Sequence, residues 1–423
     1  MYTDIKNVLL KAKDEKLQAR QKFLNTHPVL LTLQALRVGV PKNTKHTQLS
    51  LKLFNQLILQ VFSPRASHFH SSQAGDSYFY AMDLSAETLK KMAIYIEKHH
   101  PLGRFVDLDV VTAEGPFSRQ ILNQAPRKCF LCNEPAHKCA VLKRHDTETL
   151  NAFTEKHIEK YLVQFLAENA MNALRKELFL YPKFGLVSGH DQGVHIDMHA
   201  GHFLASIDSL KDYFKDVITH GFKTISIDHL RQLGKLAEKN MYEATGYVNT
   251  HKGIVFIFGS FLPFYTQAIL HNKTLEECLD SLQEMITPLV EKDFLLLQER
   301  TPISFGERCF INYRILGIRG EVKHRFPSIF SWYNKLAVND YQKLLLIASN
   351  LDDTTIVKRT NYELLKAFQS DCKAFLKEPF KIENYKHFSD HYKAQNVSPG
   401  GAADLLSLVF LLESTDFLIK NSP

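Results

Sequence analysis

Glycine is scarce at the start of this chain. Residues 1–155 hold only Gly39, Gly75, Gly103 and Gly115, and the other fourteen glycines all follow. The standard nucleotide signatures are missing as well. There is no GxxxxGK[ST] and no GxGxxG, so any nucleotide site is neither a P-loop nor a dinucleotide fingerprint. No run approaches the ~18 apolar residues of a membrane span, so no membrane partner is expected. The opening MYTDIKNVLLKAKDEKLQAR has acids in its first turns and no apolar signal core, which predicts a cytoplasmic protein without a secretory leader. Six cysteines, three of them clustered and three (Cys278, Cys309, Cys372) scattered, suit a reduced compartment and not a disulfide scaffold. Internal repeats, low-complexity tracts and Pro/Gly/Ser-rich linkers are absent too.

What is present is ordinary in bulk. The 423 residues are 45% hydrophobic and 23% charged with a net charge of +7, enough for two or three cores and a mild preference for anionic ligands. The glycine-poor part alternates in type. A polar helix is predicted over 4–25, a strand over 29–38, a helix over 47–62, a strand over 77–84, and a helix capped by Ser85. Then comes HPLGRFVDLDVV (100–111), in which Phe105, Asp107, Asp109 and Val111 alternate with Val106, Leu108 and Val110. In a strand the period of two puts Asp107 and Asp109 on one face, roughly 7 Å apart. Carboxylates held so on a rigid element suit a shared divalent metal, and through it phosphate.

The junction, TETLNAFTEKHIEKYLVQFLAENAMNALRKEL (147–178), reads as continuous helix and predicts a fixed arrangement in place of a flexible tether. Beyond it the apolar spacing is almost wholly helical. One helix is expected from Asp197 as cap to Gly221 as stop, and another from Asp228 to Gly246. Further helices are predicted over 275–297, 333–350, 361–378 and 401–419. The expected architecture is an α+β domain over 1–155 and a mostly α-helical domain over 156–423.

Polar clusters fall at the helix boundaries. They are FGLVSGHDQGVHIDMHAGH (184–202), TGYVNTHKG (245–253), LGIRGEVKHRFP (316–327), LDDT (351–354) and SPGGAADL (398–405). Glycines permit close backbone approach, Lys and Arg neutralise charge, and paired aspartates bring Mg²⁺, which are the parts of a triphosphate cradle. Bland readings stand beside these. Asp352–Asp353 suit a helix N-cap, and His199 and His202 suit an exposed helix face. The run C-x2-C-x6-C-x5-H offers a zinc site from Cys129, Cys132, Cys139 and His145 (or His137), or else three half-buried thiols.

Together these blocks resemble two enzyme families joined in one polypeptide. Residues about 8–150 resemble the holo-[acyl-carrier-protein] synthase of citrate lyase, a phosphoribosyl-dephospho-CoA transferase, through HPLGRFVDLDVV and SRQILNQAPRKCFLCNEPAHKCAVLKRH. Residues about 160–420 are similar to triphosphoribosyl-dephospho-CoA synthase through GLVSGHDQGVHIDM, TGYVNTHKG, LGIRGEVKHRFP, LDDT and SPGGAADLL. The resemblance implies a nucleotidyltransferase-like first domain. It also implies two reactions, in which ATP and 3′-dephospho-CoA give 2′-(5″-triphosphoribosyl)-3′-dephospho-CoA and adenine, and the product is then transferred to a serine of the apo acyl-carrier (γ) subunit with release of pyrophosphate.

It further implies roles for single residues. Asn249, His251, Lys252 and Arg319 contact the triphosphate, Asp352 and Asp353 hold Mg²⁺, and His195 or Asp197 manages protons. In the first half Asp107 and Asp109 hold Mg²⁺ while Arg104, Arg127 and Arg144 meet the pyrophosphate. Phe184 and Ser188 depart from the proline and aspartate of the synthase pattern, Tyr247 replaces a glycine, and 63–80 matches the transferase pattern poorly. The same chemistry serving malonate decarboxylase is a related reading. A zinc-stabilised nucleic-acid adaptor is a distant one, since 127–145 has five Lys/Arg but only Phe130 to stack, and no nucleic-acid partner is expected.

Overall fold

The computed structural model describes residues 2–132, 134–298, 301–333 and 338–419. The chain forms two compact units, Met1–Leu162 and Val163–Pro423. The first is built on five antiparallel strands in the order β2-β3-β1-β4-β5. The strands are β1 (Val29–Ala35), β2 (Ala66–His70), β3 (Ser77–Ala81), β4 (Val106–Thr112) and β5 (Gly115–Phe117). Around them lie α1 (Tyr2–Leu24), α2 (Lys45–Phe62), α3 (Ala86–His99), α4 (Ala136–Val141) and the start of α5 (Thr147–Phe179). Ser85 caps α3 through the Thr88 amide, as its position implies. β2 and β5 were not expected. β2 is a largely exposed edge strand and β5 has three residues, so neither carries a clear apolar alternation.

Strand register decides which side chains share a face. Leu31, Leu33, Tyr80, Leu108 and Val110 are buried on the side packed by α2 and α3. The other face grades from apolar to polar. At one end Leu30 pairs across with Ala81 and Val111, and Leu24 of α1 packs on them. At the other, Gln34 is opposite Asp107 and Ser77, and Thr32 is opposite Asp109.

The second unit is helical. It takes the rest of α5 and then α6 (Ala200–Ser209), α7 (Lys211–His220), α8 (Ile227–Ala244), α9 (Lys252–Leu270) and α10 (Leu275–Leu295). These are followed by α11 (Phe305–Tyr313), α12 (Ile318–Lys323), α13 (Pro327–Phe330), α14 (Asp340–Ala348), α15 (Thr354–Arg359), α16 (Tyr362–Phe375), α17 (Ile382–Ala394) and α18 (Gly400–Thr415).

Several boundaries differ from expectation. The helix expected from Asp197 is two, split at Leu210, and its cap is His199. The His199 ring accepts from Gly201 N–H while the His202 ring accepts from His199 N–H. Ser226, not Asp228, caps α8, which leaves Asp228 in the first turn where its charge suits the helix dipole. Asn339 and Gln342 form a capping box that starts α14 at Asp340, well inside the stretch expected to be helical from 333. Residues 334–337 lie outside the described ones.

The largest miss is α9. GIVFIFGSFLPFYTQAIL is apolar all round, and by length and composition alone the helix could cross a membrane, contrary to the expectation that no run could. In the fold 83% of that window is buried, which makes it the central helix of the unit. Two glycines on it permit close packing. A Cβ at Gly253 would lie 1.9 Å from Asp404 Oδ2, and one at Gly259 1.9 Å from Tyr213 Oη. The Tyr213 hydroxyl donates to Val255 O at 2.7 Å, so it has little room to retreat.

Gly259→Ala should therefore lower stability by about 1–3 kcal/mol through overpacking, seen as a lower urea midpoint at unchanged slope. Adding Tyr213→Phe, which removes the clashing oxygen, should recover part of the loss. Strict additivity of the two substitutions would show that the contact is not the cause.

Candidate active sites

In the first unit the face carrying Asp107 and Asp109 is as the alternation implies, with Asp109 exposed and Asp107 half-buried. Arg127 Nη1 lies 2.8 Å from Asp107 Oδ1, and Lys90 Nζ is 3.4 Å from Asp109 Oδ1. Burial pushes the Asp107 carboxyl up, Arg127 opposes this, and the Asp109 and Glu97 charges add to it. Lys16 of α1 donates to Gln34, the residue opposite Asp107. Burial and the Arg20 charge bring the Lys16 ammonium down to about 8, against the pull of Asp107, Asp109 and Asp76. A buried lysine within the field of two carboxylates is a perturbed group of the kind that candidate sites carry.

The outer edge of β4 explains how the arginine arrives. β5 pairs only with Val110–Thr112, so Val106–Leu108 have polar backbone groups without a strand partner on that side. Side chains take its place. Arg127 donates to Val106 O, Lys90 to Leu108 O, and buried Glu97 accepts from Leu108 N–H. Glu97 also binds Arg119 and Arg127. Arg104 points elsewhere, to Cys129 O, and Arg144 is exposed. Of the three arginines proposed from sequence, only Arg127 reaches the carboxylates. Lys16, Lys90 and Glu97 were missed, because nothing in a polar helix distinguishes the lysine that the sheet will bury.

In the second unit, two adjoining cavities of about 240 and 580 Å³ share Asn249, Lys252, Gly253, Thr355, Lys358 and Asp404. His195, Asp197, His251, Arg359 and Glu177 line the smaller, and Arg319 and Asp353 the larger. Most of the expected residues thus meet in one cleft, although they come from segments up to 160 residues apart. Lys252, at the first position of α9, pairs with Glu238 at 3.0 Å. His195 Nε2 meets Ser398 Oγ at 2.9 Å, while Arg359 lies 3.4 Å from its Nδ1 and donates to Val194 O. Burial and the Arg359 charge hold the His195 imidazole down at about 4. His251 is fully buried against Ser206 Oγ at 2.7 Å and is held down to about 3, chiefly by desolvation. Both imidazoles are neutral at ordinary pH.

The adjacent aspartates are turned apart. Asp352 pairs with Lys366 at 2.7 Å and lies off the cleft. Asp353 caps α15 through the Thr355 amide and also accepts from Ala402 N–H of α18, so the cap reading describes it. A different carboxylate faces the cavity. Asp404, on the first turns of α18, accepts no hydrogen bond among the described residues. Burial and the charges of Glu177 and Asp353 push its carboxyl well above the usual range. SPGGAADL contains this acid five residues after its proline without marking it out, and Lys358–Arg359 lie four and five residues beyond LDDT. Glu177, paired with buried Lys183 at 2.5 Å, lies in a helix that gives no such signal.

The departures have local causes. Phe184 has φ +56, which proline cannot adopt, and its ring sits among Phe368, Tyr385 and Phe388. Tyr247 keeps φ +68, the left-handed backbone that favours glycine. Ser188 Oγ accepts from the amides of His190 and Asp191, a turn an aspartate would also make.

Comparison with known proteins matches both halves. Residues 163–421 match the family of ATP:dephospho-CoA triphosphoribosyl transferases, and residues 5–161 match apo-citrate lyase phosphoribosyl-dephospho-CoA transferase. Protein CitXG of Leuconostoc mesenteroides is 30% identical over 90% of this chain and 91% of its own length. Protein CitXG of Haemophilus influenzae is 28% identical over 96% and 95%. The 2-(5″-triphosphoribosyl)-3′-dephosphocoenzyme-A synthase of Haemophilus ducreyi is 28% identical over 67% of this chain and 98% of its own. With a transferase family matched in each half and CitXG relatives matched over 91–95% of their own length, the chain belongs to the family that fuses these two transferases, bifunctional enzymes of citrate lyase prosthetic-group biosynthesis.

Proposed function

We propose that Asp404 is the proton acceptor of the first transfer. The 2′-hydroxyl of 3′-dephospho-CoA attacks C1′ of the ATP ribose, the bond from C1′ to adenine breaks, and the hydroxyl proton passes to Asp404, which gives it up to the departing adenine. The observation that carries this is an unpartnered carboxylate, raised by burial, at the wall shared by the two cavities. A carboxyl raised toward neutrality is the stronger base. Lys252, Lys358, Arg359 and Arg319 supply the positive charge for a triphosphate, with Asn249 as a neutral donor. His195 and His251 meet and orient Ser398 and Ser206, and Asp197, at the exposed lip, faces solvent. The turned-apart Asp352 and Asp353 do not suit a shared Mg²⁺.

In the first unit the reading is a nucleotidyltransferase-like sheet that serves the second transfer. A serine hydroxyl of the apo acyl-carrier subunit attacks the α-phosphorus of the triphosphoribosyl group, and pyrophosphate leaves. Asp107 and Asp109, hard oxygen ligands two residues apart on an inner strand, suit Mg²⁺, which when bound neutralises phosphate oxygens. Arg127, Lys16 and Lys90 position and neutralise the leaving group. Both reactions belong to the cytoplasm on this reading.

Asp404→Asn should cut adenine release from ATP and dephospho-CoA by about 10²–10⁴-fold without lowering the melting temperature, since the amide has nearly the same shape and replaces a carboxyl that burial already holds toward neutrality. Full activity would end the assignment. Asp109→Asn should stop attachment to the carrier subunit, read by mass, and leave adenine release intact; equal loss of both would refute two separate sites. Attachment should also fall above pH about 8, as the Lys16 ammonium loses its proton, and Lys16→Arg should abolish that alkaline limb. A limb unmoved in Lys16→Arg would assign it to another group.

A further inference from the structure

Neither transfer uses the cysteines of the first unit. Cys129, Cys132, Cys139 and His145 each present one ligand atom, and the four atoms lie within 4.8 Å of one another. Cys132 Sγ is 3.4 Å from both Cys139 Sγ and His145 Nε2. Ligands on a zinc tetrahedron with zinc–sulfur bonds of about 2.3 Å are roughly 3.8 Å apart, so the cluster has the right size. All three cysteines are free thiols, and Cys129 and Cys139 are buried.

The local chain is shaped to bring them together. Cys129 N–H donates to Glu134 O at 2.8 Å, Lys128 bridges to Pro135, and the amides of Leu131 and Cys132 point at the Cys129 sulfur. Pro135 then opens α4, which carries Cys139. Lys143 takes a left-handed turn, and Arg144 N–H returns to Cys139 O, which brings His145 back to the thiols. This arrangement also decides between the two histidines, because His145, not His137, closes the set.

We infer that these four residues bind a structural zinc ion that holds the 127–145 segment against β4. Three thiolates and an imidazole in a closed tetrahedral set are the ligands of a structural zinc site. Apart from the Phe130 ring, which packs edge-on against buried Phe105, the segment is held by polar contacts. Its links to the sheet run through Arg127, two residues before Cys129, and through Arg104, which donates to Cys129 O. Zinc would therefore set the position of the arginine that faces Asp107. This second part rests on the reading of Asp107 and Asp109 as the carrier-attachment site.

Metal analysis of the full-length protein should find one zinc per chain. Exchange for Co²⁺ should give the intense visible bands of a tetrahedral ion and a thiolate-to-cobalt band, both lost in Cys132→Ser. Removing zinc with a zinc-selective chelator in excess Mg²⁺ should lower carrier attachment at least tenfold, on the scale seen when metal-site support is removed, while adenine release stays unchanged. Added Zn²⁺ should restore attachment. A wild-type protein that takes up neither zinc nor tetrahedral Co²⁺, or that holds a Cys132–Cys139 disulfide, would overturn the site. Zinc that is bound but whose removal spares attachment would overturn its role toward Arg127. Asp109→Asn keeps all four ligands, so it should retain zinc and still fail to attach. If it retains zinc and stays active, the carboxylate reading fails while the metal site stands.

Discussion

Helix α9 is buried on nearly every side, and the second unit is arranged to satisfy that constraint. A helix with no polar face must be wrapped, and its one charged residue, Lys252, stands at its N-terminal end. The cleft forms at the N-terminal end, where Asn249, His251 and Lys252 cluster. A lysine at a helix N-terminus opposes the helix dipole, and Glu238 offsets it at 3.0 Å. A local rule broken at a cavity wall points to function before any reaction is named. α18, equally apolar, meets α9 where Gly253 faces Asp404, which delivers a carboxylate into the same space.

The first unit solves a different problem. A sheet strand whose outer neighbour covers only three residues leaves backbone groups to be satisfied, and Glu97, Lys90 and Arg127 do this with charged side chains. Charge brought in to finish a ladder then stands beside Asp107 and Asp109. Structure and chemistry share the same residues here, so substitutions of Glu97 would disturb both.

Much of this was legible in the sequence because the signals were local. The period of two in VDLDVV, the Ser85 cap and the helical stripes each depend on residues a few positions apart, and each appears in the fold. The misses were of two kinds. α9 has no periodicity to read, because an all-apolar helix looks like nothing but a long greasy run. The division of labour among carboxylates was also hidden. Asp352 and Asp353 advertise themselves as a pair, yet one serves Lys366 and the other two helix N-termini. Asp404 looks like any acid early in a helix, and only the approach of Gly253 and the burial around it single it out. The expected cap at Asp197 failed for a related reason, since His199 and His202 make a reciprocal cap of a kind the usual Ser/Thr/Asp rule does not anticipate.

Gly253 has a consequence for how this enzyme tolerates change. A single methyl group there would occupy the space of the Asp404 carboxylate, so the smallest side chain in the alphabet of L-residues blocks the acid from its place. An alanine at 253 would thus act on the acid although the position carries no functional group of its own. Substitution at 253 therefore acts on the acid through volume alone, and any larger residue there displaces the Asp404 carboxylate from its present place.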